Sequence, residues 1–210
     1  MVYSPSREIP RPEGIRELLE ASFQKRNIVH LGEGSSVPLL RQQVWLVVRG
    51  MVKLGAITIH GDEMVLGLAG PSEPFGEPFA DVDAYEARTL CATDLLSFSL
   101  QEIEADPTLC GAMLRALAAR HRQSQSLLAL MSLRRVEERV RGFLELLVNE
   151  YGQPCPEGLR LDLRLTHQEL ASAVGTTRVT VTRVIGALRE QGWLCFDERR
   201  RLIVTYLPQR

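Results

Sequence analysis

Cysteine is scarce in this 210-residue chain, and its four copies, Cys91, Cys110, Cys155 and Cys195, stand far apart, with no C-x-x-C pair and no histidine pattern beside them. That spacing argues against a zinc or iron-sulphur site, and no metal or other cofactor is identified. No apolar run approaches the length of a membrane span, and the polar segment 1–13 lacks a signal-peptide core, so a cytoplasmic protein with no membrane partner is expected. Net charge is small as well: 25 basic against 26 acidic side chains leave -1 at pH 7. A uniformly basic coat is excluded, whereas a local positive face is not. Internal repeats and low-complexity tracts are absent. With 45% hydrophobic and 24% charged residues, the composition suits one large or two small globular domains.

The positive pattern begins with a proline- and charge-rich arm at 1–13 and a short amphipathic helix over 14–24, with Ile15, Leu18, Leu19 and Phe23 on one side. From Arg26 the period becomes that of strands, at 27–31, 44–48, 51–58, 63–68, 85–91 and 95–99, punctuated by glycine-rich turns. Short strands at this spacing predict a β-sandwich or jelly-roll, a fold that often encloses a small ligand. A long helix is then expected from Pro107 to about Leu133. In it Met113, Leu117, Arg120, Ser124, Leu127 and Met131 step by fours and threes, as in a two-helix seam. Arg120 and Ser124 interrupt that seam, which points to a ligand or polar partner there; the alternative is a register displaced by one, with Arg120 on the surface.

Arg134 to Arg139 reads as a charged hinge, Val140 to Tyr151 as a further helix, Gly152 to Gly158 as a turn, and Leu159 to Leu165 as a strand. Next comes the most informative stretch. Thr166 with Glu169 forms a capping box, Leu170, Ala171 and Val174 make an apolar stripe, and Gly175 supplies a helix-ending turn. Thr177 caps a second helix whose Val181, Val184, Ile185 and Leu188 face a core, while Arg178, Thr180, Thr182 and Arg183 form the other face. Threonine is a poor helix former, so its repetition there suits a DNA groove better than plain solvent. A helical hairpin with a glycine turn is common and alone does not distinguish a DNA reader from a plain structural hairpin. Two apolar strands, 193–196 and 202–206, joined by a charged turn, add a wing, with Arg199, Arg200 and Arg201 placed to approach phosphates or to form a solvated hairpin tip.

A β-roll, a long helix and a C-terminal winged helix-turn-helix, in that order, resemble the CRP/FNR family of bacterial transcription regulators across nearly the whole chain. The segments from Pro156 to Gln168 and from Thr177 to Arg183 are similar almost residue for residue to its cyanobacterial nitrogen-regulator (NtcA) branch; the β-roll match is general and rests on the turn Phe75-Gly76-Glu77. The resemblance implies an α+β fold: a jelly-roll, cyclic-nucleotide-binding-like domain at 1–105, a dimerisation helix and hinge at 106–134, and a winged helix-turn-helix at 135–210. It implies a homodimer on double-stranded DNA, reading a palindrome with half-sites near GTA and TAC. Arg178, Val179 and Arg183 would face base edges, and Thr166, His167, Gln168, Thr177 and Thr180 would hold phosphates or give neighbouring polar contacts. The Gln153 to Gly158 turn would touch RNA polymerase, and Phe75, Gly76, Glu77, Arg120 and Gln125 would belong to an effector pocket.

Departures from the family pattern bear on the effector. Asp83 and Ala84 stand where cyclic-nucleotide members carry an arginine and a serine for the cyclic phosphate, and an aspartate repels a phosphate, so cyclic AMP is not expected. The nitrogen-regulator branch has an arginine at the Asp83 position and a glutamate at the Gln125 position, so 2-oxoglutarate is not expected either, although Arg120 matches. A regulator with a degenerate pocket and no effector is the main alternative. A metal enzyme built on the roll is remote, since that half offers only His30 and His60, and a haem on His60 or His121 is remoter still. The expectation is a non-enzymatic regulator.

Overall fold

The computed structural model describes residues 27–205, so the arm, the helix over 14–24 and Tyr206 lie outside the described residues. The chain divides into two compact units, which meet between Gln125 and Ser126.

The first unit is built on two antiparallel sheets. One runs in the order β1 (Val29–Leu31), β7 (Thr93–Ser99), β2 (Gln43–Arg49), β5 (Pro74–Phe75); the other runs β4 (Glu63–Ala69), β3 (Val52–Ile57), β6 (Tyr85–Thr89). The unbroken apolar run of β2 follows from burial on both faces. Trp45 and Val47 pack with Val52, Leu54, Ala87 and Phe75. Val44 and Leu46 point the other way, onto Leu109, Ala112, Met113 and Ala116 of a long helix. Alternation along one strand thus serves two cores.

Two helices follow the roll: α1 (Leu100–Ala105) and α2 (Pro107–Met131). The sequence reading missed α1, although its signal was present in Ser99 and Glu102, which form a reciprocal capping box. The long helix ends two residues before the expected Leu133. Its seam is also offset from the expected one. Met113 and Leu127 are buried within the chain, while Leu114 and Leu128 are 68% and 73% exposed. Arg120 is not on the surface either: its Nη1 donates to the carbonyl of Leu68 on β4 at 2.8 Å. Leu114, Leu117, His121, Ser124, Leu128 and Met131 form the outer stripe, which alternates by threes and fours as a seam should.

In the second unit, α3 spans Val136–Tyr151, four residues longer than expected. The charged run 134–139 is therefore not all hinge. Glu137 and Glu138 occupy the first helical turn, where the helix dipole favours negative charge. The turn at 152–158 folds as a hairpin of β8 (Gln153–Cys155) and β9 (Gly158–Arg160), because Pro154 sits in an edge strand, where a missing N–H is tolerated. Of the expected strand 159–165, only Leu159 and Arg160 pair as a strand, within β9. Its strict alternation instead tracks burial of Leu161 and Leu163. The winged part then contains α4 (His167–Val174), α5 (Arg178–Glu190), β10 (Leu194–Phe196) and β11 (Leu202–Thr205), in a sheet ordered β10-β11-β9-β8.

Candidate nucleic-acid interface

Helix α4 begins at Thr166, whose Oγ1 accepts from the Glu169 N–H at 3.1 Å while the Glu169 carboxylate accepts from the Thr166 N–H at 2.7 Å. It ends at Gly175, at φ 62 and ψ 55, a left-handed conformation that a side chain would strain. Arg139 of α3 braces this corner, donating from Nη2 to the Gly175 carbonyl and from Nη1 to that of Leu133. Thr177 then caps α5 through the Thr180 N–H at 3.2 Å, and its hydroxyl lies 2.9 Å from that of Thr180.

On α5 the chemistry separates cleanly by face. Val181, Val184, Ile185 and Leu188 are buried, whereas Arg178, Val179, Thr182 and Arg183 are exposed. At about 100° per residue the four exposed positions span an arc of roughly 140°, with Thr182 and Val179 on either side of its centre and the two arginines at its edges. Val179 is itself 79% exposed. An apolar side chain within a cationic, hydroxyl-bearing face costs free energy in water and is matched by a thymine methyl.

His167 opens α4, and its Nδ1 lies 2.8 Å from Thr182 Oγ1. Since Thr182 donates its only proton to the Arg178 carbonyl at 2.9 Å, His167 Nδ1 must be the donor, which fixes the tautomer and links the two helices. Gln168 is exposed beside it. The sequence reading placed Thr182 on the outer face without assigning it a contact; here it positions His167.

Gly186 shares the outer face, and a Cβ there would meet nothing within 4 Å. Gly186→Ala is therefore expected to stabilise the protein by about 0.5–1 kcal/mol in thermal or urea unfolding, through helix propensity alone.

In the wing the three arginines part company. Arg201 is committed to the protein, with Nε 2.6 Å from Asp197 Oδ2 and Nη1 2.7 Å from Asp162 Oδ1. Arg199 and Arg200 remain exposed, Arg200 at a left-handed φ of 59. Desolvation pushes the Asp197 carboxyl up, but the Arg201 N–H, the Arg201 guanidinium and the Arg199 N–H together hold it below the usual carboxylate range. A lowered folded pKa means the clasp contributes fully above the unfolded value and is lost as pH falls through the folded one. Wing amide resonances are thus expected to hold down through the ordinary carboxylate range and to move only in stronger acid; Asp197→Asn should abolish that acid transition.

The first unit has a separate cavity of about 350 Å³, lined by Phe75, Phe79, Tyr85, Leu117, Arg120, His121 and Ser124. Of the residues assigned to an effector pocket from sequence, Phe75 and Arg120 line it. Gly76 and Glu77 do not, and Glu77 pairs with Arg41 at 3.5 Å. Gln125 also lies off the wall, 3.0 Å from His121 Nε2. The spacing of Leu117, Arg120, His121 and Ser124 on one helix side was legible around Arg120. Phe79 and Tyr85 had no local signal, since the tertiary fold alone brings them there. His30 pairs with Asp94 at 2.7 Å, and His60 lies on the exposed β3–β4 turn. Among the described residues no three His, Cys, Asp or Glu side chains gather to hold a metal, and no helix is long and apolar enough to cross a membrane.

Comparison with known proteins agrees with this organisation. The Crp-like helix-turn-helix domain matches residues 138–209. The regulatory protein CysR of Synechococcus elongatus is 34% identical over 179 residues, covering 84% of this chain and 82% of that protein. The global nitrogen regulator of Nostoc sp. is 31% identical over 168 residues, covering 76% and 75%. A CRP/FNR-family transcriptional regulator from Thermus thermophilus superposes with a TM-score of 0.68 at 25% identity, covering 86% of this chain and 94% of that one. A roll of two sheets, a long helix, and a capped helix pair with a wing, together with these relatives, place the chain in the CRP/FNR family of DNA-binding transcription regulators, near its nitrogen-regulator members.

Proposed function

We propose that the protein works as a homodimer on a palindromic DNA site, in the three-part arrangement of a sensor roll (1–105), a dimerisation helix with hinge (106–134) and a DNA-binding domain (135–210). The two copies of α5 then enter successive major grooves about 34 Å apart. Arg178, Val179 and Arg183 read base edges in half-sites resembling GTA and TAC. Thr166, His167, Gln168, Thr177 and Thr180 hold the phosphates or complete the polar contacts beside them. The observation that carries this reading is the outer face of α5, where two arginines flank an exposed valine opposite four buried apolar residues. Arg199 and Arg200 extend the contact to the backbone; Arg201, held by two aspartates, shapes the wing instead.

The exposed tip of the β8–β9 hairpin, Pro156 and Glu157, is the surface offered to RNA polymerase. The relatives are regulators rather than enzymes, and the protein is read as a cytoplasmic, non-enzymatic regulator of the same kind. The cavity beside Arg120 favours control by a small molecule over an effector-independent mode. A ligand there acts only if it binds the DNA-competent arrangement better than the other. Selection of bound duplexes from a random pool, with and without cell metabolite extract, tests the reading. It should return a two-fold symmetric motif whose enrichment depends on the extract; an asymmetric motif or none overturns it.

A further inference from the structure

Arg200, at the tip of the wing, holds a backbone conformation that arginine disfavours. Ser72, Ala84 and Arg200 are the described non-glycine residues of positive φ, and of these only Arg200 carries a charge. At φ 59 its Cβ is crowded against the backbone, and glycine is the usual occupant of such a position. The turn around it is fixed from behind. The Arg200 N–H donates to the Asp197 carbonyl at 2.9 Å, and the Asp197 N–H donates to the Arg201 carbonyl at 3.1 Å. Asp197 Oδ1 accepts from the N–H groups of Arg199 and Arg201 at 2.9 and 2.8 Å, while Arg201 Nε donates to Asp197 Oδ2 and Arg201 Nη1 to Asp162. Three exposed charged side chains remain at the tip, Glu198, Arg199 and Arg200. Glu198 offsets Arg199, which makes the tip a weak general clamp for phosphates and leaves Arg200 as its surplus charge. From residue 135 onward the chain has arginines but no lysine.

We infer that Arg200 enters the minor groove beside each half-site and reads its width, so that the protein prefers A·T-rich neighbouring base pairs that α5 does not touch. The inference rests on the homodimer-on-palindrome reading above and carries its wing contact past the phosphates to the groove floor. A narrow A·T minor groove concentrates negative potential, and a guanidinium sheds water to enter it more readily than an ammonium does. A G·C pair places the guanine 2-amino donor in that groove, where a cation finds nothing to bond. Phosphates can be reached by a long side chain from almost any turn residue. A groove contact needs one side chain held at the apex, and that is the position where this wing keeps an arginine at the cost of backbone strain.

Fluorescence anisotropy of the full chain on three duplexes tests this. The selected half-sites stay fixed, and the base pairs beside them are A·T, G·C or inosine·cytosine; the last keeps the major-groove face of G·C but lacks the 2-amino group of the minor groove. The A·T and inosine·cytosine duplexes should bind about fivefold or more tightly than the G·C duplex. Arg200→Gly should bind all three alike while still preferring the half-sites over scrambled ones, and it should melt no lower than the wild type, because glycine is unstrained at φ 59. Arg199→Ala should keep the ranking of the three. Equal binding of the wild type to all three overturns the inference, as does inosine·cytosine grouping with G·C, which would place the reading in the major groove. A ranking that survives Arg200→Gly also overturns it and assigns the preference to duplex bending. A wild type that does not distinguish the half-sites from scrambled ones would strike the palindrome reading instead, so the two failures are distinct.

Discussion

Replacing both Arg178 and Arg183 by alanine is expected to reduce binding at the selected palindrome to the level seen on unrelated DNA. Each bidentate contact of an arginine to a guanine edge is worth about 1–3 kcal/mol of discrimination. Two such contacts in each of two half-sites add up to roughly the 4–10 kcal/mol that separates specific from non-specific binding for typical regulators. Arg178→Ala alone should cost about 1–3 kcal/mol per half-site and relax the preference at one base position in each. Fluorescence anisotropy on the palindrome and on single-base variants provides the measurement. Neither substitution should unfold the protein, since both side chains are exposed and every buried residue of α5 is retained. Unchanged specificity would remove α5 as the reading element; a uniform loss across all sequences, with a shallower salt dependence, would reassign the arginines to phosphates.

The second large effect is expected on assembly. Leu114→Glu with Leu128→Glu puts two charges on the outer stripe of α2, where the native leucines are mostly exposed in a single chain. Burying a leucine is worth about 1.5–3 kcal/mol, so four leucines across a symmetric pair of helices contribute roughly 6 kcal/mol or more, a shift of at least about 10⁴-fold in the dimer dissociation constant. The variant should sediment as a 23.5 kDa monomer with unchanged circular dichroism and bind a palindrome no better than one half-site. The control is Met113→Glu, at a residue buried against the roll, which should unfold the protein rather than dissociate it. A double variant that remains a dimer would show that this stripe is not the interface.

That contrast locates where sequence reasoning succeeded and where it stopped. Periodicity identified α2 as a helix with an apolar seam, yet both Met113 and Leu114 are apolar, and a one-residue choice of register depends on which of them meets β2 and β7. Arg120 was legible as an anomaly inside the seam, but not its partner, because the Leu68 carbonyl lies 52 residues away in the chain. The arginines of the wing tell the same story. A run of three looks uniform, and only the approach of Asp162 and Asp197 withdraws Arg201 from the exposed set.

By itself the amino-acid sequence determined the helix-turn-helix almost to the residue: the Thr166 and Thr177 caps, the Gly175 corner and the two-faced pattern of α5. These are short-range effects in which each residue acts on backbone within one or two turns, so a linear reading captures them. Tertiary structure alone decided which stripe of α2 stays open, how Phe79 and Tyr85 meet Arg120 around a cavity, and which arginines remain available to a partner. Those outcomes depend on contacts between segments distant along the chain, whose pairing follows from the packing of whole sheets and helices rather than from any local propensity.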